Sequence, residues 1–213
     1  KIILRFVQLW EENSDELAQL ESLTNGSPIG LSQFLVKDLV NEWHYHIGWM
    51  DKNAGRLVHD PNHNGERLSM VKREPIGVCG IIVPWNVPLR CLIVKIAPGL
   101  CMGNVLIVKP SEFSPLTALR VAKWIKMAGF PKGVFNIVQG LGQNVGEPLV
   151  RHRLVRKIAF TGSTRTGRHI MKSGAESNMK QVQLELGGKS PVIVFPDVNV
   201  EEAVRISNFA LFN

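Results

Sequence analysis

Apolar residues near the start of the chain recur at steps of three and four positions, with charged residues between them, as on one face of a helix. The turn residues Asn25–Pro28 interrupt this pattern, and a second helical pattern runs from Leu31 to Trp49. The apolar positions of the first pattern are Ile3, Phe6, Val7, Trp10, Leu17, Leu20 and Leu23. The chain is therefore predicted to begin with a helical region.

A more polar segment follows. Asp60–Gly65 has the composition of a turn, and Arg67–Lys72 has the mixed polarity of a strand. We therefore place a boundary near residue 75, which divides the chain into an N-terminal region, 1–75, and a second domain, 76–213.

From Gly77 onward, short apolar runs rich in β-branched residues alternate with stretches of helical length, which is typical of buried parallel strands and their crossovers. Ser114 is predicted to cap a helix whose first residue is Pro115. The predicted strands are 77–84, 104–109, 134–139, 156–161 and 182–186, and the predicted helices are 88–101, 115–129, 143–151 and 164–176. The pattern indicates an α/β fold with a doubly wound parallel sheet, whose ligand would bind at the carboxyl ends of the strands.

The last part of the chain contains an apolar run, Val192–Phe195, and a helical pattern, Val200–Phe212. Neither end of the chain has a recognisable cap, because an amphipathic helix starts at Lys1 and another stops at Asn213. We expect the chain to be an internal segment of a longer protein.

Composition and charge exclude several classes of protein. The 213 residues include 25 Lys and Arg against 18 Asp and Glu, a formal charge of +7, and 45% of them are hydrophobic, as in ordinary globular proteins. The basic residues are scattered, so we predict no nucleic-acid partner. The strongest apolar stretch, Cys91–Leu106, is interrupted by Lys95, so we predict no membrane span.

The cysteines and histidines offer little chemistry of their own. Cys79, Cys91 and Cys101 are odd in number and lie in apolar segments, which favours packed thiols in a reducing, cytoplasmic compartment. No cluster of cysteines or carboxylates accompanies the histidines in the sequence, so we predict no metal site.

Two glycine-rich segments follow predicted strands. Gly140–Gly146 resembles a dinucleotide fingerprint with one extra residue, and Thr161–Gly167 would open a helix whose N–H groups could face an anion. The alternative for both segments is a tight turn between a strand and a helix that binds no ligand.

Three polar side chains are candidates for binding or catalysis. Glu112, just after the second predicted strand, could accept hydrogen bonds from ribose hydroxyls and repel the phosphate of NADP, which favours NAD, and Lys109 could reach the same ribose. Asn86, between two prolines, could stabilise an oxyanion, and burial of Glu185 would suit it to act as a general base. The alternatives are an exposed lysine beside an acid that complements a helix dipole, a turn-forming asparagine and a structural glutamate.

Taken together, the ordered segments of this sequence resemble the NAD(P)-dependent aldehyde dehydrogenase superfamily. The segments are Glu74–Val78 with Pro84–Asn86, Lys109–Glu112, Phe160–Thr164 and Leu184–Pro191. The resemblance implies that 76–213 is a Rossmann-like NAD-binding domain and that 1–75 includes the start of an oligomerisation arm. It implies a homo-oligomeric parent, dimer or tetramer, that oxidises an aldehyde to a carboxylic acid.

The same resemblance assigns roles to individual residues. Asn86 would be the amide of the oxyanion hole and Glu185 the general base. Residues that would line the NAD site are Trp85, Lys109, Glu112, Gly142, Gly146, Phe160, Gly162, Ser163 and Leu186. The family's nucleophilic cysteine follows Glu185 by more residues than this chain contains, so the thiohemiacetal and thioester would form on a cysteine outside it. The alternative is an inactive NAD-binding fragment or partner subunit.

Overall fold

The computed structural model describes residues 1–59 and 67–212. The turn predicted at Asp60–Gly65 lies outside the described residues. The strand predicted at Arg67–Lys72 is β2, Ser69–Val71, which pairs antiparallel with β1, Arg56–Val58. The sequence pattern did not predict β1, because all three of its residues are exposed and it therefore has no buried face to alternate.

The described part of the N-terminal region contains three helices: α1, Ile2–Glu12, α2, Ser14–Asn25, and α3, Ile29–Gly48. The first apolar pattern is thus divided between two helices, since the chain leaves helical geometry at Asn13. Leu23 belongs to that pattern but is 79% exposed, so its predicted place on the packed face is wrong.

Aromatic residues hold these helices together. Phe6, Trp10 and Trp43 are fully buried, and the rings of Phe6 and Trp43 meet edge to face with centroids 4.9 Å apart. The indole N–H of Trp10 donates a 2.9 Å hydrogen bond to the carbonyl oxygen of Val36, which ties α1 to α3. The predicted helical region is confirmed.

A parallel sheet of five strands forms the rest of the core, with the spatial order β5-β4-β3-β6-β7. The strands are β3, Val78–Ile82, β4, Val105–Lys109, β5, Phe135–Ile137, β6, Val155–Gly162, and β7, Gln181–Leu186. The helices after α3 are α4, Pro88–Cys101, α5, Leu116–Ala128, α6, Glu147–Arg151, α7, Thr164–Asn178, and α8, Val200–Phe212. The predicted doubly wound α/β fold is confirmed.

Each face of the sheet is covered by its own layer of helices. Cys79 and Ile81 face a cluster built with α1–α5, whereas Val78 and Ile82 face a second cluster built with α6 and α7. Burial on both faces explains why the strands appear in the sequence as continuous apolar runs. The first cluster contains residues from both sides of residue 75, and the domain boundary there stays a prediction.

Two helix starts differ from the predicted ones. Helix α5 begins at Leu116, and the hydroxyl of Ser114 is buried without a hydrogen-bond partner in the described part of the chain, so the predicted cap is wrong. Before α6, residues Gly142–Gly146 form a turn of π-helix, where one continuous helix was predicted.

The last segment has little contact with the core. Val192–Phe195 forms no strand, and α8 has no buried residue. Within the described residues, no helix is both long and apolar enough to cross a membrane.

Candidate functional site

The strand order reverses between β3 and β6, and the loops that leave these two strands flank the switch point of the sheet. Ligands of doubly wound sheets bind at such a point, outside the carboxyl ends of the strands. The second predicted strand, β4, lies on the other side of β3 from this switch point.

The loop after β3 carries Trp85 and Asn86 between Val83 and α4. The Val83 N–H donates a 3.2 Å hydrogen bond to the carbonyl oxygen of Lys109, which joins this loop to the end of β4. Trp85 is 57% exposed, and Asn86 is also exposed. The carbonyl oxygen of Asn86 accepts a 3.1 Å hydrogen bond from Nδ2 of Asn25, while its carboxamide is on the surface.

Lys109 ends β4 with a buried ammonium group. Its side chain is 4% exposed, and Nζ lies 3.3 Å from Oε2 of Glu112 and 2.9 Å from the carbonyl oxygen of Pro110. The alternative of an exposed lysine is therefore wrong. A buried cation held by one carboxylate at a strand end is a fixed polar pair that a ligand could contact.

The glycine-rich segment after β5 lies beside this pair. A Cβ atom at Gly146 would come within 3.6 Å of Cδ of Lys109, so the π-helical turn packs closely against the lysine stem. Gly142 starts that turn, and a Cβ atom there would meet no other atom within 4 Å. Gly140 has a φ of 145°, which favours glycine.

The end of β6 leads directly into the capped N-terminus of α7. Phe160 is buried, and its ring lies so close to Gly162 that a Cβ atom there would be 2.5 Å from Cζ. The hydroxyl of Ser163 accepts a 3.3 Å hydrogen bond from the N–H of Thr166. The first N–H groups of α7 carry the positive end of the helix dipole and can bind an anion.

Glu185 lies at the end of β7, where it pairs in register with Thr161. The burial considered for Glu185 in the sequence analysis is absent from the structure, because β7 is the last strand of the described sheet and Glu185 is exposed at its end. Its neighbour Leu186 is 40% exposed and contacts the first turn of α7, where a Cβ atom at Gly167 would meet it at 2.7 Å.

Lys95 is a site residue that the sequence analysis did not identify. Its Nζ donates a 2.6 Å hydrogen bond to the hydroxyl of Thr161. Burial lowers the pKa of Lys95, and the nearby Cys91 and Glu185 oppose that shift, so the lysine lies within electrostatic reach of Glu185. A lysine in the middle of the mostly apolar helix 88–101 was the available signal.

The three cysteines are free, and burial raises the pKa of each thiol, that of Cys101 to about 11. Raised pKa values make these thiols weak nucleophiles at neutral pH, as their apolar sequence surroundings predicted. Among residues 1–59 and 67–212, no group of three or more potential ligands could hold a metal ion.

A doubly wound parallel sheet, with helices on both faces and polar side chains at its carboxyl edge, defines a Rossmann-like α/β protein. The chain belongs to the aldehyde dehydrogenase family, whose model matches residues 1–213. An aldehyde dehydrogenase of Agaricus bisporus is 42% identical over 99% of this chain. Mouse mitochondrial 10-formyltetrahydrofolate dehydrogenase is 45% identical over the whole of it.

Solved structures show the same likeness. PnpE in complex with nicotinamide adenine dinucleotide is 45% identical, with a TM-score of 0.94 over 99% of this chain and 43% of its own. Betaine aldehyde dehydrogenase of Staphylococcus aureus in complex with NAD+ is 39% identical, with a TM-score of 0.92 over 96% of this chain and 40% of its own. The chain spans 42% of the Agaricus bisporus protein and 23% of the mouse protein.

Proposed function

We propose that this chain is the cofactor-binding part of an NAD-dependent aldehyde dehydrogenase that oxidises an aldehyde to a carboxylic acid. The observation that carries the proposal is the ion pair between the buried Lys109 and the more exposed Glu112 at the carboxyl edge of the sheet. Family membership and the NAD complexes of two similar structures support it.

The residues at this edge suit a dinucleotide. Lys109 and Glu112 would hold the adenosine ribose by its hydroxyls, and the capped N-terminus of α7 at Ser163 would bind the pyrophosphate. The remaining residues proposed to line the site are Trp85, Gly142, Gly146, Phe160, Gly162 and Leu186. When bound, NAD supplies a hydride acceptor.

Asn86 and Glu185 are the proposed catalytic residues. The carboxamide of Asn86 donates a hydrogen bond to the oxygen of the aldehyde as negative charge develops on it. Glu185 takes a proton from the water that releases the acid, and its exposed position at the strand end leaves it accessible to that water.

The attacking thiolate is proposed to come from a cysteine outside these residues. The raised pKa values of the three thiols make each of them a poor nucleophile. Cys91, on α4, has two cations nearby, Lys95 and Arg90, yet burial still raises its pKa.

We further propose a homo-oligomer in a reducing, cytoplasmic compartment. The ribbon of β1 and β2 exposes Leu57 and Met70 by 71% and 64%, which suits an arm that packs against another subunit. The three unpaired cysteines suit a reducing compartment.

The test is NADH formation by the protein that carries this chain, with NAD and a panel of aldehydes. In Glu185→Gln we expect a first-turnover burst of NADH followed by loss of steady turnover, since only release of the acid needs the base. Glu74→Gln, an exposed residue paired with Lys72, is the control and should turn over normally. Binding of NAD without NADH formation from any aldehyde would instead indicate the inactive NAD-binding module.

A further inference from the structure

Glu21 is a buried carboxylate far from the sheet edge in sequence but next to the Asn86 loop in space. It lies on α2 with no exposed surface, and its Oε1 accepts a 3.1 Å hydrogen bond from the N–H of Leu89 in the first turn of α4. Its other oxygen, Oε2, has no hydrogen-bond partner among the described residues. Burial of a carboxylate oxygen without a hydrogen-bond partner lowers the stability of the fold. A role for Glu21 at the start of α4 would explain why a carboxylate is buried there.

Helix α4 cannot cap its own N-terminus. Its N-cap residue is Val87, which has no polar side chain, and Pro88 at the first helical position has no N–H. The first N–H group that needs an acceptor is therefore that of Leu89. Glu21 provides this acceptor from another helix, and its negative charge suits the positive end of the α4 dipole.

Asn25, one helical turn after Glu21, holds the same loop at a second point. Its Nδ2 donates a 3.1 Å hydrogen bond to the carbonyl oxygen of Asn86 and lies 3.4 Å from Oε1 of Glu21. Its Oδ1 accepts a 2.9 Å hydrogen bond from the N–H of Ser27, which fixes the side chain in place. The backbone that follows the Asn86 side chain is thus tied to α2 at two points, the carbonyl group of Asn86 and the N–H of Leu89.

We infer that Glu21 and Asn25 are positioning residues that hold the carboxamide of Asn86 in place to stabilise the oxyanion. The inference rests on the proposed function, because it gives Asn86 that role. Preorganised donors work only if they do not have to move during the reaction, and misplacement by about 1 Å is enough to lower the rate. Neither residue contacts the aldehyde in this proposal.

The variants are chosen to remove one contact each. Glu21→Ala removes the acceptor for Leu89, whereas Glu21→Gln keeps an oxygen acceptor. Asn25→Asp removes the donor to Asn86 but keeps the acceptor for Ser27. The control is Asn178→Asp, which removes a similar tie at the opposite end of the sheet, from Nδ2 to the carbonyl oxygens of Arg153 and Val155.

In the whole dehydrogenase we expect Glu21→Ala and Asn25→Asp to lower kcat by about tenfold or more, with NAD affinity unchanged, since the oxyanion forms only in the transition state. Glu21→Gln should recover most of the rate, and Asn178→Asp should keep it. In an Asn86→Ala background, neither change should lower kcat by more than about twofold, because both act through Asn86. The inference would be overturned if the two substitutions lowered kcat as strongly in the Asn86→Ala background as in the wild type. It would also be overturned if they did not lower kcat in the enzyme that keeps Asn86.

Hydrogen exchange gives a readout that does not depend on turnover. The peptide that contains 84–92 should exchange faster in Glu21→Ala and Asn25→Asp than in the wild type. Unchanged exchange of this peptide would overturn the inference, whatever the activity of the variants. If the wild type oxidises no aldehyde, the proposed function fails, whereas the exchange experiment still reports whether α2 holds the loop.

Discussion

At the level of single residues, a contact between charged groups at the sheet edge could be predicted from the sequence, whereas their burial could not. Lys109 and Glu112 are three positions apart, so a contact between them was foreseeable, and the structure places their charged atoms 3.3 Å apart. Burial of the lysine was not foreseeable, because it depends on the π-helical turn that packs over it. Glu185 shows the opposite case, since a carboxylate at the end of an apolar strand is exposed.

Glu112 should set the choice between NAD and NADP. A carboxylate at the ribose repels a phosphate, so Glu112→Gln is expected to narrow the preference for NAD, measured as the ratio of kcat/KM for the two cofactors. Glu176→Gln removes an equal charge from α7, where Glu176 pairs with Arg151, and should leave the ratio unchanged. An unchanged ratio in Glu112→Gln would contradict the proposed position of Glu112 at the ribose.

Glu21 should make stability depend on pH. Burial raises the pKa of Glu21 to about 6 from an ordinary value of 4.5, and the hydrogen bond from Leu89 offsets only part of that shift. The folded protein therefore holds this proton more tightly than the unfolded chain does. The stabilisation is complete below pH 4.5 and is lost as the pH rises through about 6, by about 2 kcal/mol in all.

The check is denaturant unfolding of the wild type and of Glu21→Gln between pH 4.5 and 7. Glutamine does not titrate, so the unfolding free energy of the wild type should fall relative to that of Glu21→Gln as the pH rises from 4.5 to 7. A difference that stays constant over this range would show that Glu21 does not titrate with a raised pKa.

At the level of elements, helix α7 depends on its cap. Ser163 accepts a hydrogen bond from Thr166, and Ser163→Ala should therefore lower the free energy of unfolding by about 1 kcal/mol. Ser177→Ala is the matched control, since the hydroxyl of Ser177 bonds to the carbonyl oxygen of Gly174 within the last turns of the helix and caps no N–H group. Equal effects of the two substitutions, measured by denaturant unfolding, would contradict the capping role.

The periodicity of apolar residues predicted which segments are helices and which are strands. The exact first and last residues of each element depended on individual residues such as proline and glycine. Helix α4 has the predicted bounds, Pro88–Cys101, because a proline starts it and glycine follows its end. The ribbon of β1 and β2 was predicted only in part, because exposed strands lack the alternation that reveals a buried face.

At the level of the whole molecule, the segment after β7 is the least packed part of the chain. Every residue of Val192–Phe195 is more than half exposed, and α8 buries no residue. Exposed apolar patches of this kind promote association. The chain prepared on its own is expected to self-associate, with an apparent mass that rises with concentration in size-exclusion chromatography with light scattering.

Substitution of Ile193, Phe195 and Leu211 by serine should reduce this association, because these side chains are 77%, 69% and 73% exposed. Substitution of Leu57 and Met70 in the ribbon is the comparison that separates the two apolar surfaces. A monodisperse, cooperatively melting preparation of the unsubstituted chain would contradict the prediction.

The sequence by itself determined the fold class and the order of strands and helices along the chain, because these follow from local periodicity, which depends on neighbours in the chain. Most candidate site residues came from the resemblance of its ordered motifs to the family. The tertiary structure decided the strand order, the burial of Lys109, the exposure of Glu185 and the contacts of Lys95. It also joined Glu21 to Leu89 and Asn25 to Asn86, pairs that are 68 and 61 positions apart. Contacts between such distant positions depend on how the layers pack, and no local pattern in the chain encodes that packing.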